Sequence, residues 1–222
     1  MVIDFDLELR AVTLLTVGGN APELFGADIV FIRVPDAAGR YKYYIPGSSV
    51  RGALRSAASK VARHYGFRSC GEVKPERIAR AHGGKVCDVC ALFGYPNRPH
   101  GERSPLVVSN FEPAEDLSNK LVKVTHVSID SKRSVARKWA LYVVEYVVPG
   151  VVFRGSISVD DSARDLLPLL LLAVAELRTG RFGRRSVVDA KIVDDGRLDG
   201  YVDSRWSNLL NSLREWLWVG LP

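Results

Sequence analysis

Residues 2–11 alternate without a break. Ile3, Phe5, Leu7, Leu9 and Ala11 are apolar, and Asp4, Asp6, Glu8 and Arg10 lie between them. A period of two puts the two sets on opposite faces of a β-strand, so one face is wet and the other needs a cover. The elements that follow are of mixed type. A helix is expected after Pro46-Gly47, running from about Val50 to His64. A short strand covers Leu106 to Phe111. Leu141–Val148 and Val151–Val159 flank Pro149-Gly150 and read as a hairpin. A helix capped by Asp161 or Ser162 runs to Thr179 with a leucine-rich buried face, and Pro168 should kink it or mark a late start. Val187–Val193 closes the series as a strand. A terminal amphipathic helix over 203–219 follows, with Trp206, Leu209, Leu210, Leu213 and Leu217 at helical spacing. Strands and helices interleaved in this way predict an α+β domain rather than a bundle.

At 222 residues, 47% hydrophobic and 25% charged, the chain has the composition of a soluble globular protein and can bury a proper core in a single domain, 1–222. The net charge of +6 is a mild pull towards a polyanionic partner. Acids at Asp4, Asp6 and Glu8 do not fit a secretory leader. The longest apolar run, Leu166 to Ala175, is broken by Pro168 and is too short to span a bilayer. A cytoplasmic protein without a membrane partner is the expectation. No Gly-x-Gly-x-x-Gly, P-loop or nucleophile elbow appears, which removes the commonest small-molecule enzymes.

All three cysteines fall within 21 residues of one another: Cys70, eleven residues, His82, four residues, Cys87, two residues, Cys90. A Cys-x-x-Cys pair places two thiolates on one ion, and the longer loop brings the other two ligands. Three thiolates and an imidazole close a tetrahedral Zn2+ shell with no open position, so the metal would be structural. The intervening polar loop cannot make a core alone, and a metal would supply the cross-link. The rival readings are a redox pair at Cys87/Cys90 and plain buried cysteines. His64 and His100 are the substitutes should His82 not be the ligand.

Tyr44-Ile45-Pro46-Gly47-Ser48-Ser49-Val50-Arg51-Gly52-Ala53-Leu54-Arg55 combines a tight turn, two hydroxyl residues suited to cap a helix, and a basic helix face. Free N–H groups, Ser48, Ser49, Arg51 and Arg55 together make a seat for a phosphate. The plainer alternative is an ordinary capped surface helix.

This stretch resembles the signature of the RAMP superfamily, the RNA-binding proteins of CRISPR systems, and most closely the repeating backbone subunit of type III (Csm/Cmr-type) effector complexes. Three further segments are similar to the family's strings: Ala91-Leu92-Phe93-Gly94 after Cys90, the segment around Ile129-Asp130, and Gly180-Arg181-Phe182-Gly183-Arg184-Arg185-Ser186. The resemblance implies a modified ferredoxin-like (RRM-like) fold with a zinc-binding insertion at 66–95 and a thumb arm at 112–139 that presses on a guide–target duplex. It implies that Asp28, with Mg2+ or another divalent metal, cuts target RNA by attack of a 2′-hydroxyl, with Arg33 five positions on. It assigns RNA contact to Arg33, Ser48, Ser49, Arg51, Arg55, Lys132, Arg133, Arg181, Arg184 and Arg185. The implied partners are CRISPR guide RNA, complementary target RNA, other effector subunits and further copies of this chain arranged head to tail. The alternatives are a scaffold without nuclease activity and, in third place, an endoribonuclease that matures guide RNA; none of the four histidines sits in a recognisable triad.

Overall fold

The computed structural model describes residues 1–18, 26–96, 103–130, 132–194 and 196–220. Strand β1 (Val2–Ala11) realises the alternation, with Ile3, Phe5, Leu7 and Leu9 all under 5% exposed. It is an inner strand. β8 (Val152–Asp160) pairs along one side, Val2 opposite Asp160, and β9 (Val188–Val193) along the other, Asp6 opposite Val193. β4 (Leu106–Val108) and the two-residue β5 (Glu112–Pro113) add to the outer edge of β8. The path β4-β8-β1-β9 is antiparallel throughout.

Two helices cover the dry face. α1 (Gly47–Val61) follows the small β2–β3 ribbon (Arg33–Pro35, Tyr41–Tyr43) and precedes β4. α4 (Leu167–Leu177) connects β8 to β9 and packs against α1. Helices between the first and second and between the third and fourth main strands, over this strand order, give the split β-α-β arrangement of a ferredoxin-like fold. Val50, Leu54 and Ala58 of α1 meet a nearly all-apolar α4, in which Leu169, Leu170, Leu171 and Ala173 are fully buried. Each such leucine contributes about 1.5–3 kcal/mol of transfer free energy. A 3-10 turn over Asp161–Leu166, capped by Asp160, precedes α4, so Pro168 sits in the first turn, where its missing N–H costs nothing.

Between α1 and β4 lie α2 (Pro75–Ala81) and α3 (Asp88–Phe93). They are anchored in the main core by Ile78, Val89, Leu92 and Phe93. α5 (Ser207–Leu213) is shorter than expected from 203–219; Leu210 and Leu213 are buried, but the chain beyond is not helical and Leu217 is half exposed. Trp216 instead lies between two cations on the wet face of the sheet, with Arg10 4.5 Å and Lys191 4.9 Å from its ring centroid. Trp218 donates its indole N–H to Arg178 O (3.0 Å) and its backbone N–H to Asp189 Oδ2 (2.8 Å). Both tryptophans therefore hold the tail to the body.

The hairpin expected across Pro149-Gly150 does not form. β7 (Val135–Val147) pairs with β6 (Leu121–Asp130) to make a separate two-stranded arm, while β8 joins the main sheet. The Pro-Gly pair is a corner between two sheets: Gly150 N–H donates to Ala11 O (2.8 Å) and Ala11 N–H to Val151 O (2.9 Å). The arm is thus a real β-hairpin, but it spans 121–147 rather than 112–139.

Candidate nucleic-acid interface

α1 begins three residues before the expected start, and neither serine caps it. Gly47 is the first helical residue, and Asn110 Oδ1 accepts its N–H at 3.0 Å. A Cβ at position 47 would stand 2.2 Å from Val108 O, so only glycine lets the helix start this close to the β4 backbone. Ser48 and Ser49 consequently occupy the first turn. Ser49 N–H bonds Pro46 O, whereas the N–H of exposed Ser48 meets no acceptor among the described residues. An open N–H at the positive end of a 15-residue helix is what an anion requires.

A cavity of about 510 Å³ lies against this turn and is lined by Ser48, Arg51, Arg55 and Arg103. The two helix arginines reach it while holding the insertion: Arg51 donates to Phe93 O, and Arg55 to Gly94 O and, at 3.1 Å, to Cys90 Sγ. Ser104 Oγ donates to Leu92 O (3.0 Å). Arg51 and Ser104 thus satisfy the Phe93 and Leu92 carbonyls at the end of α3 and Arg55 the Gly94 carbonyl just beyond it, so the Leu-Phe-Gly string is the capped end of a six-residue helix. Arg103 was not singled out in the sequence, and only the fold brings it beside Arg51.

The cluster of Cys70, His82, Cys87 and Cys90 assembles as the spacing predicted, with all four ligand atoms within 4.8 Å of one another. Cys70 Sγ and Cys90 Sγ are 3.8 Å apart, and so are Cys87 Sγ and His82 Nε2. A tetrahedron with Zn–S bonds near 2.3 Å has an S···S edge of about 3.8 Å, while a disulfide needs about 2.05 Å. The set is compatible with zinc and does not contain a disulfide. Hydrogen bonding from Cys90 holds the Cys87 thiol down to about 4, towards the thiolate a metal takes. Tyr95 packs edge-on against the His82 ring at 5.1 Å. His64 stands elsewhere, beside Tyr65 and Trp206, and His100 lies outside the described residues.

Asp28 is exposed and spends one oxygen on the arm: Oδ2 accepts from Val143 N–H at 2.7 Å. Ile29 bridges Val144 in parallel, so this loop runs along the free edge of β7. The cysteine–histidine set is the only group of three or more ligand-type side chains among the described residues, and Asp28 belongs to no such group. Arg33 is half-buried against Glu145 (3.3 Å) and lies over the Tyr41 ring at 4.4 Å. Glu145, itself 4% exposed, also accepts Phe31 N–H at 3.0 Å. An acid inside the apolar run Leu141–Val148 was the available sign of such a pairing.

Lys132 and Arg133 are exposed at the tip of the arm, where Asp130 fixes the turn by accepting Lys132 N–H (2.9 Å) on its side chain and Ser134 N–H (2.8 Å) on its carbonyl. Arg181, Arg184 and Arg185 are exposed on a loop built for close approach to the segment that follows β1. A Cβ at Gly183 would stand 2.3 Å from Thr16 O, Arg184 N–H donates to that same oxygen (3.2 Å), and Phe182 is buried beneath. The structure therefore separates the predicted contacts into four places: the amino end of α1, the tip of the arm, the arginine loop, and Arg33 by itself on β2 against Glu145.

No helix is long and apolar enough to cross a membrane among the described residues. No match is found among curated proteins. The family model of the RAMP superfamily matches residues 8–221, from the last part of β1 to the tail, and the chain belongs to that superfamily.

Proposed function

We propose that this RAMP protein binds CRISPR guide RNA as the repeating backbone subunit of a type III-like, RNA-targeting effector complex. Family membership supports a CRISPR-associated RNA-binding role in a multi-subunit assembly. The observation that carries the finer reading is the groove at the amino end of α1. An unpaired helical N–H at Ser48 and three arginines converge there, a combination that grips ribose-phosphate backbone without reading sequence. In this reading the arginine loop and the tip of the arm hold the strand on either side, and copies of the chain follow one another along the guide.

The zinc reading places Zn2+ on Cys70, His82, Cys87 and Cys90, where it would lock the insertion that Arg51 and Arg55 hold to α1. A closed shell offers no catalytic position. For target cleavage the candidate is Asp28, whose second oxygen remains open to take a proton from a 2′-hydroxyl or to hold one cation. Mg2+ characteristically sits on one or two carboxylates with the remaining positions filled by water and substrate phosphate, so RNA itself would complete such a site. The solitary carboxylate favours the second reading, a scaffold without nuclease activity, if cutting is absent.

Ser48→Glu tests the main claim. The side chain is exposed in the first helical turn, where an acid suits the helix dipole, so folding is preserved while the phosphate is repelled. Guide-RNA affinity should fall by about tenfold or more, with a shallower salt dependence; an unchanged titration rejects the seat. Asp28→Asn keeps an acceptor for Val143 and removes the charge. In the assembled complex with complementary RNA and magnesium, loss of cutting with intact binding assigns catalysis to Asp28. Equal cutting by the variant removes it, and no cutting by the wild type leaves the scaffold.

A further inference from the structure

The strap that carries Asp28 is tied to the body at one end and to the arm at the other. Phe31 is buried in the main core, its ring stacked on Phe153 with centroids 5.8 Å apart. Phe31 also bridges Gly18, and Ile32 N–H donates to Val17 O at 3.1 Å. Three residues earlier the chain lies on β7. Asp28 Oδ2 accepts Val143 N–H (2.7 Å), Ile29 N–H donates to Val143 O (3.1 Å), and Glu145 N–H donates to Ile29 O (2.8 Å). Asp28 is therefore mounted on the arm, while the chain just beyond it is fixed to the body.

Glu145 stands where the two meet. If the parallel bridge of Ile29 with Val144 continued, the Phe31 N–H would go to the backbone carbonyl of Glu145. The side chain takes that N–H instead, with Oε2 at 3.0 Å, and the ladder ends after one bridge. A carboxylate buried for this purpose needs a partner. Arg33 supplies it at 3.3 Å, itself held over the Tyr41 ring. Buried ion pairs seldom improve on a well-packed apolar residue, and valine stands at 143, 144 and 147. Stability is thus a poor reason for this acid. What it does hold is the exit of the Asp28 strap from the arm.

We propose that Glu145 is a positioning residue for Asp28: its carboxylate fixes where the strap leaves the arm, and thereby where the open Asp28 oxygen is presented to RNA. Arg33 serves it as counter-ion. The proposal rests on the reading of Asp28 as the cleaving group and adds the element that aligns it. Because the hold is on the arm, any movement of the arm carries Asp28 with it.

Two substitutions separate reach from charge. Glu145→Gln keeps an acceptor in the same place and loses the charge. Glu145→Asp keeps the charge and is one methylene short of the Phe31 N–H. Single-turnover cleavage is measured across RNA concentrations, in the complex assembled with guide RNA, complementary RNA and magnesium. Glu145→Asp should slow the cleavage step by about tenfold or more and leave RNA affinity within about twofold, because a misplaced group loses rate without losing binding. Glu145→Gln should cut within about fivefold of the wild type. Amide exchange should follow the same order: the Phe31 N–H loses protection in Glu145→Asp and keeps it in Glu145→Gln, with β8 unchanged in both. The reverse order of rates overturns the proposal, since it belongs to an ion pair acting on stability. So does a loss of affinity equal to the loss of rate. If Glu145→Asp frees the Phe31 N–H yet cuts like the wild type, while Asp28→Asn does not cut, the positioning role is wrong and Asp28 keeps its own. If Asp28→Asn cuts like the wild type, or the wild type does not cut, both readings fail.

Discussion

Arg55 of α1 and Arg178 at the carboxyl end of α4 carry the same charge as the arginines of the loop at 181–185 and meet a different fate. Arg55 donates to a carbonyl and a sulfur, and Arg178 to four carbonyls, those of Ala190, Ser212, Leu213 and Glu215. Arg178 also faces Asp189 at 3.6 Å. These guanidiniums are cross-links, and their five fixed donors suit them to tie segments distant in sequence. Arg181, Arg184 and Arg185 are exposed on a backbone that is itself tied down, and no cross-link of this kind engages their side chains among the described residues, Arg184 lying over the Tyr142 ring. Counting basic residues cannot separate the two groups, so net charge is a poor guide to this protein's interface.

The contrast can be tested by degrees, and the largest effect is expected at the metal cluster that the inner arginines brace. Wild type should carry about one zinc per chain, and Cys87→Ser should lose it and lower Tm by about 10 °C or more, because metal affinity is folding free energy in a loop this polar. A metal-free wild type would leave Arg55 bracing thiols alone. Next comes Arg178→Met, which leaves four carbonyls without their donor and removes one of the two cations beside buried Asp189, the other being Arg10 at 3.3 Å; denaturant unfolding should show a loss of about 3–5 kcal/mol. Arg55→Ala should cost about 1–3 kcal/mol by uncapping α3 beside Cys90. Arg184→Ala with Arg185→Ala should move stability by no more than about 0.5 kcal/mol, yet reduce the slope of log affinity against log salt by about one. If that pair destabilises as much as Arg55→Ala, the division between inner and outer arginines is false.

The smallest effect is a pH signature. Hydrogen bonds from Arg214 hold the Asp194 carboxyl below its ordinary range. A depressed acid stabilises the fold at pH values above its unfolded value near 3.9, and that contribution is lost as pH falls through the lower folded value. Arg214→Met should flatten the acid limb of the stability curve below about pH 4 and leave neutral-pH RNA binding unchanged.

Local signals in the sequence were dependable wherever a residue's partner was near or its chemistry left few choices. The alternation of β1, the late start of α4 at Pro168, and the cysteine–histidine spacing all reappear as geometry. The pairing of Leu141–Val148 differs from the expected hairpin because a Pro-Gly pair between two apolar runs looks the same at a hairpin and at a corner. Pairing is settled by long-range choices: β1 has two edges, and β8 and β9 take both. The start of α1 depended on Asn110, 63 residues away, which no spacing rule could reveal. The partners of Glu145 were equally hidden, since Phe31 and Arg33 lie 114 and 112 residues away.

The corner at Pro149-Gly150 has a mechanical consequence. β7 is welded to the body at Leu15–Val147 on one side of it and by the Ala11–Val151 and Gly150–Ala11 bonds on the other. The arm therefore behaves as a lever clamped at its base rather than a flap on a swivel. Load applied at its far end reaches the central strand of the main sheet within a few bond lengths, and bending it means straining that sheet.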